Sequence, residues 1–333
     1  MKKVIIFLSY GEHLPSFRHR LKGRWLALQE AGWDCQSLVL PSRRYIRRIF
    51  DIKRQLTAAD AVVLSKLKLN SVECLLLQRW CSDLIYDIDD SIWLKRPKKL
   101  GDEPGRSAWR DAKFNAVCRV ADAVVVGNSV LAERVLPINP SITTVPTPVD
   151  VDAYQQVEAA PDPNFITAVW IGLPGNLVFL ESIRPALAAI AKQQPNFRLR
   201  IVSSRGLDWD DVPTEFLPWS IDAEMSALRS ADIGLMPLLN DDWSRGKCAF
   251  KLLQYMAAGL PCVASPVGAN CDAVLHGRTG YLADSVEEWK EALMSLCASP
   301  SKLMEYGAAG QQHAKLNYDR RVADTAWLEL LAH

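Results

Sequence analysis

Apolar residues fall along this chain in short, dense runs separated by longer amphipathic stretches. In the first half the runs are Lys3–Ser9, Cys35–Leu40, Ala61–Lys66, Leu84–Asp87 and Ala123–Gly127. Most are rich in Val, Ile and Leu without strict alternation, the pattern of strands buried on both faces of a parallel sheet. Between them, Phe17–Ala31, Tyr45–Thr57, Ser71–Ser82 and Trp109–Ala121 carry helical patterns. Alternating strand and helix predicts a parallel sheet with right-handed crossovers. Across residues 145–165 the periodicity lapses around Pro146, Pro148, Pro161 and Pro163, marking a linker.

Alternation then resumes. Strands are expected at Ala168–Gly172, Arg198–Ser203, Glu215–Leu217, Ile233–Pro237 and Cys262–Ala264, with helices at Leu177–Lys192, Ala223–Ser230 and Phe250–Ala258. A last helix is expected near Arg320–Leu331. The reading is an α/β chain of two Rossmann-like domains with parallel sheets facing a cleft. The boundaries fall at residues 1–150, 151–318 and 319–333, the last segment packing back on the N-terminal domain. A length of 333 residues suits two such domains.

Composition narrows the class. No run of eighteen apolar residues is present, and MKKVIIFLSYGEH reads as a first strand rather than a leader. Eight cysteines form no C-x-x-C pair, so they read as small hydrophobes in a reducing cytoplasm rather than as metal ligands. Charge is divided unevenly: residues 1–150 carry +8 and residues 151–333 carry −7. Two basic clusters, Arg43, Arg44, Arg47, Arg48, Lys53, Arg54 and Lys95, Arg96, Lys98, Lys99, hold much of the excess. They read either as solvated faces or as a surface that meets anionic lipid or a phosphorylated acceptor.

The densest chemistry lies in residues 241–270, DDWSRGKCAFKLLQYMAAGLPCVASPVGAN. A Gly-containing loop opens a helix here, and free amides at a helix N-terminus beside Lys247 and Lys251 make a seat for a diphosphate. A solvated helix face reads equally well from the residues alone. In the N-terminal half, GEHLPSFRHR follows the first strand, where Gly11, Arg18 and Arg20 form a candidate phosphate or acceptor loop. The string DIDDSIW places Asp87, Asp89 and Asp90 at a strand end, either as acid–base or sugar-contacting groups or as helix caps.

The segment KLLQYMAAGLPCVASPVG resembles the donor-site helix and following strand of retaining GT-B glycosyltransferases, specifically glycosyltransferase family 4. VWIGLPGN, ADIGLMPL, GYLA and the linker VPTPVDVDAY are similar to that family at matching places. The resemblance implies transfer of a sugar from a nucleotide sugar to a glycan or lipid-linked glycan, with retention and without metal or other cofactor. It implies donor contacts at Gly172, Gly246, Lys247, Lys251 and Gln254. The sequence departs from the family where two glutamates eight residues apart are common, since Gly246 and Gln254 stand there. The Arg and Lys usual after the first glycine of the second domain are replaced by Leu173 and Pro174. Arg205 and Arg245 are the further cations available to the phosphates. Arg18 and Asp89 are the catalytic candidates on the opposite wall. The rival reading is a degenerate, non-catalytic member that binds nucleotide or a partner glycosyltransferase. No G-x-G-x-x-G follows either first strand, which disfavours a nicotinamide-dependent dehydrogenase, and no base-stacking elements point to nucleic acid. The expected location is the cytoplasm, at the inner face of the membrane.

Overall fold

The structure, a computed structural model, describes residues 2–41, 45–97, 99–157 and 159–332. Arg43, Arg44 and Lys98 of the two basic clusters lie outside the described residues.

Two six-stranded sheets, all parallel, are built in succession. The first holds β1 (Lys3–Ser9), β2 (Trp33–Val39), β3 (Ala61–Ser65), β4 (Leu84–Ile88), β5 (Ala123–Val126) and β6 (Ile142–Thr144), in the order β2-β1-β3-β4-β5-β6. The second holds β7 (Ile166–Ile171), β8 (Phe197–Ser203), β9 (Thr214–Pro218), β10 (Ile233–Met236), β11 (Cys262–Ala264) and β12 (Gly280–Leu282). Its order is β12-β11-β10-β7-β8-β9, the doubly wound arrangement, which reverses between β7 and β10. Both sheets are covered on two faces. Along β1, Ile6 and Leu8 enter one core while Ile5 and Phe7 enter another; along β7, Val169 and Ile171 face away from Ala168 and Trp170. Burial on both faces explains why these strands read as continuous apolar runs.

The stretch Phe17–Ala31 is not one helix. A wide turn, Phe17–Leu21, passes into a tight turn, Lys22–Arg24, before the helix Trp25–Glu30 begins. Such irregular turns recur at functional sites, and this one rotates Arg20 into the core while Arg18 and His19 stay at the cleft. Tyr45–Thr57 is likewise divided, into Tyr45–Asp51 and Lys53–Ala58. The proline-rich linker contains a short helix, Val151–Gln155, whose N-terminus is capped by Asp150 accepting from the Ala153 amide at 3.2 Å.

The helix Arg320–Leu330 lies against the first sheet rather than the second. Ala323, Trp327 and Leu331 enter the core formed by Ile5, Phe7, Leu28 and Val63. Arg24 fixes the helix by an ion pair with Asp324 at 3.1 Å and a hydrogen bond to the Arg320 carbonyl at 2.6 Å. The chain therefore crosses between the sheets twice. The crossings run side by side, with the Val149 amide donating to the Tyr318 carbonyl and the Arg320 amide to the Val149 carbonyl.

Candidate active site

A cavity of about 460 Å³ opens between the domains, beyond the carboxyl ends of β1, β4, β7 and β10. In the second domain it coincides with the reversal of strand order, where doubly wound sheets bind ligands.

The second-domain wall begins where β7 runs into Gly172. A Cβ there would stand 2.7 Å from the Lys251 Nζ and 2.9 Å from the Trp170 ring, so glycine permits the close approach of Lys251. Lys251 belongs to the helix Phe250–Ala257, which starts from Ala249 in the left-handed conformation (φ 52°). No side chain caps this helix; the Leu252 amide turns back to the Ala249 carbonyl at 2.8 Å, and the Phe250–Lys251 end of the helix lines the cavity. A non-glycine residue held at positive φ stores strain, and such strain clusters at ligand sites.

Lys247 and Lys251 both line the cavity. The Lys247 ammonium sits 3.8 Å from the Trp243 ring centroid and that of Lys251 4.2 Å from the Trp170 centroid. Neither has a carboxylate partner among the described residues. Burial lowers the pKa of each lysine, that of Lys251 strongly, and Lys247 beside it lowers Lys251 further. Two desolvated cations near an open helix N-terminus are arranged for an anion.

Further along the helix, the buried Gln254 donates both amide hydrogens, to the Tyr154 hydroxyl at 2.9 Å and to Glu224 Oε1 at 2.6 Å. The second oxygen of Glu224 accepts from the Trp219 indole at 2.6 Å. Glu224, Trp219 and Gln254 all face the cavity.

The N-terminal wall is shaped by the turn after β1. Arg18 donates from Nη2 to His19 Nε2 at 3.1 Å, and its buried Nε has no partner. The His19 ring packs 4.5 Å from the Phe250 ring centroid across the cleft. Burial, with Arg18 and Arg24 nearby, pushes the His19 pKa down to about 4. Asp89 and Asp90 complete this wall, but Lys66 already grips both, at 2.8 and 2.6 Å. Burial raises the Asp89 pKa, and Lys66 and Arg20 more than offset it, so its carboxyl lies below the ordinary range. It is held as a carboxylate.

Several expected residues lie elsewhere. Arg20 cannot clamp a phosphate: it is 1% exposed, and its guanidinium is committed to Asp87, the Val145 carbonyl and Thr147. Gly246 stands at the domain contact, where a Cβ would collide with Ser91. Arg245 is exposed, bonds Asn240 at 2.8 Å and lines a separate groove. Arg205 and Gly11 do not line the cavity; Arg205 is exposed, and a Cβ on Gly11 would meet the His13 ring. Arg18, Asp89, Gly172, Lys247, Lys251 and Gln254 do meet around the cavity.

Three contributors were not singled out from sequence: Lys66, Glu224 and Asn128 as an interdomain contact. Lys66 follows a strand, the one signal it offered. Asn128 caps the helix Ser129–Val135 and also donates to the Lys247 carbonyl at 2.9 Å. With Ser91 donating to the Asp242 carbonyl and Cys248 to the Asp89 carbonyl, it ties residues 242–248 to the first domain.

Residues 168–299, which build this second-domain wall, match the family described as Glycosyl transferases group 1. That match lies within the second domain and covers under half of the chain. A D-inositol 3-phosphate glycosyltransferase from Rhodococcus erythropolis is 27% identical over 174 residues, 46% of this chain and 38% of the relative. One from Pseudarthrobacter chlorophenolicus is 30% identical over 110 residues, 32% of this chain and 25% of the relative. These matches thus span well under half of the relatives' own length. Among solved structures, HepE from Anabaena, in complex with UDP and glucose, superimposes with a TM-score of 0.73 at 13% identity, covering 100% of each chain. Sucrose-phosphate synthase from Thermosynechococcus elongatus gives 0.68 at 13% identity, covering 99% of this chain and 98% of the other. The fold is GT-B.

Proposed function

We propose that this chain is a glycosyltransferase moving a sugar from a nucleoside-diphosphate donor to an acceptor, with retention of configuration. The observation that carries the reading is the pair Lys247 and Lys251, desolvated and without carboxylate partners among the described residues, beside an uncapped helix N-terminus in the interdomain cavity. A sugar leaving a diphosphate passes through an oxocarbenium-like state, so stabilising charge on the leaving group is the main demand. Lys247, Lys251 and the helix amides meet it from one wall and Arg18 from the other. These cations supply the charge a metal would otherwise bring. Asp89, kept ionised by Lys66, faces the sugar as a fixed negative charge rather than as a proton donor. The relatives named as glycosyltransferases and the UDP complex of HepE support this donor class.

The acceptor we propose is a glycan or lipid-linked glycan of cell-surface polysaccharide synthesis, met at the cytoplasmic membrane face. No helix among the described residues is long and apolar enough to cross a membrane. The helices Tyr45–Asp51 and Ser71–Trp80 pack together and expose Phe50, Val72 and Leu75 at 54%, 56% and 59%. Arg47, Arg48, Lys53 and Arg54 are adjacent in the chain, a combination suited to an anionic surface. The decisive experiment incubates the purified chain with UDP-, GDP- and ADP-sugars and follows nucleoside-diphosphate binding and release. Release on adding acceptor supports transfer. Binding without release or transfer favours the non-catalytic reading, and no binding removes both.

A further inference from the structure

Resting on that donor reading, we infer that the first domain positions Lys247, through Ser91, Gly127 and Asn128, whereas the second domain positions Lys251 by itself. Residues 246–248 are each held from across the domain contact. Gly246 has a φ of −78°, which any residue adopts, so its backbone does not call for glycine. The contact does: a Cβ there would run into the Ser91 side chain and stand 3.0 Å from the Ser91 amide nitrogen. Ser91 is 1% exposed and donates to the Asp242 carbonyl at 3.2 Å. Two residues on, the fit is reversed. Here the glycine, Gly127, belongs to the first domain, and a Cβ on it would collide with Cys248 Sγ. The Cys248 thiol donates to the Asp89 carbonyl at 3.2 Å. Between these two contacts, the Lys247 carbonyl accepts from Asn128 Nδ2 at 2.9 Å.

The two lysines of the anion seat therefore differ in what fixes them. The Lys247 ammonium rests on Trp243, but its backbone is pinned to the first domain. Burial lowers its pKa first, and among the charges acting on it are Asp90, Lys66 and Arg96 of the first domain. The Lys251 ammonium lies against Gly172 and Trp170, and the charges that bear on it, Lys247 and Glu224, belong to the second domain. A lysine carries its charge at the end of a flexible stem, so the placing of its backbone decides where that charge can reach. Loosening the contact at residues 246–248 should cost the seat one cation and leave the other. The coupling runs both ways: an anion held between the lysines strengthens the domain contact by the factor that the contact strengthens binding.

The test is a double-mutant cycle, read by calorimetry with UDP, GDP and ADP on the intact chain. Gly246→Ala should weaken binding about tenfold or more, the worth of one charge-assisted contact. In a Lys251→Ala background it should weaken binding by the same factor. In a Lys247→Ala background it should change little, because the cation it displaces is already gone. General damage to the fold would weaken binding in both backgrounds alike. Ser91→Gly removes the obstructing side chain, so Gly246→Ala/Ser91→Gly should bind more tightly than Gly246→Ala despite the further substitution. Alkylation of Cys248, followed by mass spectrometry, reads the domain contact without any ligand. It should be slow in the wild-type chain, faster in Gly246→Ala and slowed again in the double variant. Equal losses in the two lysine backgrounds, no loss or no faster alkylation in Gly246→Ala, or no recovery with Ser91→Gly overturns this inference and leaves the donor site standing. Failure of every nucleoside diphosphate to bind the wild-type chain overturns the donor reading and this one together.

Discussion

Arg20 and Asp87 form an ion pair inside the first domain, at 2.7 Å, with side-chain exposures of 1% and 0%. The pair joins the irregular turn after β1 to the end of β4, and Arg20 also reaches the Val145 carbonyl at the start of the linker. Removing one partner strands the other charge in a low-dielectric site, which costs about 3–5 kcal/mol. Arg20→Ala and Asp87→Asn are each expected to lower the unfolding free energy by that amount, read as a lower urea midpoint at an unchanged m-value. Wild-type midpoints in both would show that the pair is dispensable to folding.

The anion seat gives a second prediction. Lys247→Ala and Lys251→Ala should each weaken nucleoside-diphosphate binding by about 1.5–3 kcal/mol, the worth of a charge-assisted hydrogen bond. Circular dichroism should be unchanged, because neither ammonium has an ion-pair partner among the described residues. Unaltered affinity in both variants would move the phosphates to another part of the cavity.

Proton linkage gives a third. Lys251 is depressed by burial and by Lys247, so the unliganded site favours its neutral form as pH rises, well before an ordinary lysine would. A diphosphate favours the charged form and raises that pKa. Binding should therefore take up a proton near and above the free-state pKa, and affinity should fall as pH increases through it. Calorimetry at one pH in buffers of different ionisation enthalpy reads the uptake directly. Buffer-independent enthalpies across the alkaline range, with Lys251→Ala behaving identically, would be incompatible with this coupling.

Membrane attachment gives a fourth. Each arginine near an anionic leaflet contributes about 1 kcal/mol, and an inserted aromatic adds apolar burial. Arg47→Ala/Arg48→Ala should reduce co-sedimentation with anionic vesicles at low salt, and Phe50→Ser should reduce it at any salt. Neutral vesicles should retain little protein. Recovery of the wild-type chain in the supernatant with anionic vesicles at low salt would dismiss the surface.

Most of the fold was legible because its strands are buried on both faces: β1 and β11 fall where apolar density put them, and eight others differ by a residue or two at their ends. β6 and β12 escaped notice because they are short and only partly buried, whereas β11, equally short, is buried throughout and reads as an apolar run. The cavity's second-domain wall was readable from the contiguous stretch around Lys247 and Lys251. Arg20 was misplaced because the stretch after β1 read as an open phosphate loop, whereas the irregular turn leaves Arg18 at the cleft and drives Arg20 into the core against Asp87. Glu224 was invisible for a different reason. It meets Gln254 thirty residues away in the chain, and no local spacing encodes that contact.

The return of Trp327 to the first sheet has a consequence for synthesis. The face of β1 that carries Ile5 and Phe7 is covered at once in part by Phe17, Leu21 and Leu28, but the rest of its cover, Ala323, Trp327 and Leu331, is translated only after the whole second domain. Until then the nascent first domain presents an incompletely covered apolar face, a state prone to aggregate. The first domain is thus a structural unit without being a translational one. A fragment ending in the linker would keep all six of its strands and still lack the side chain that seals them.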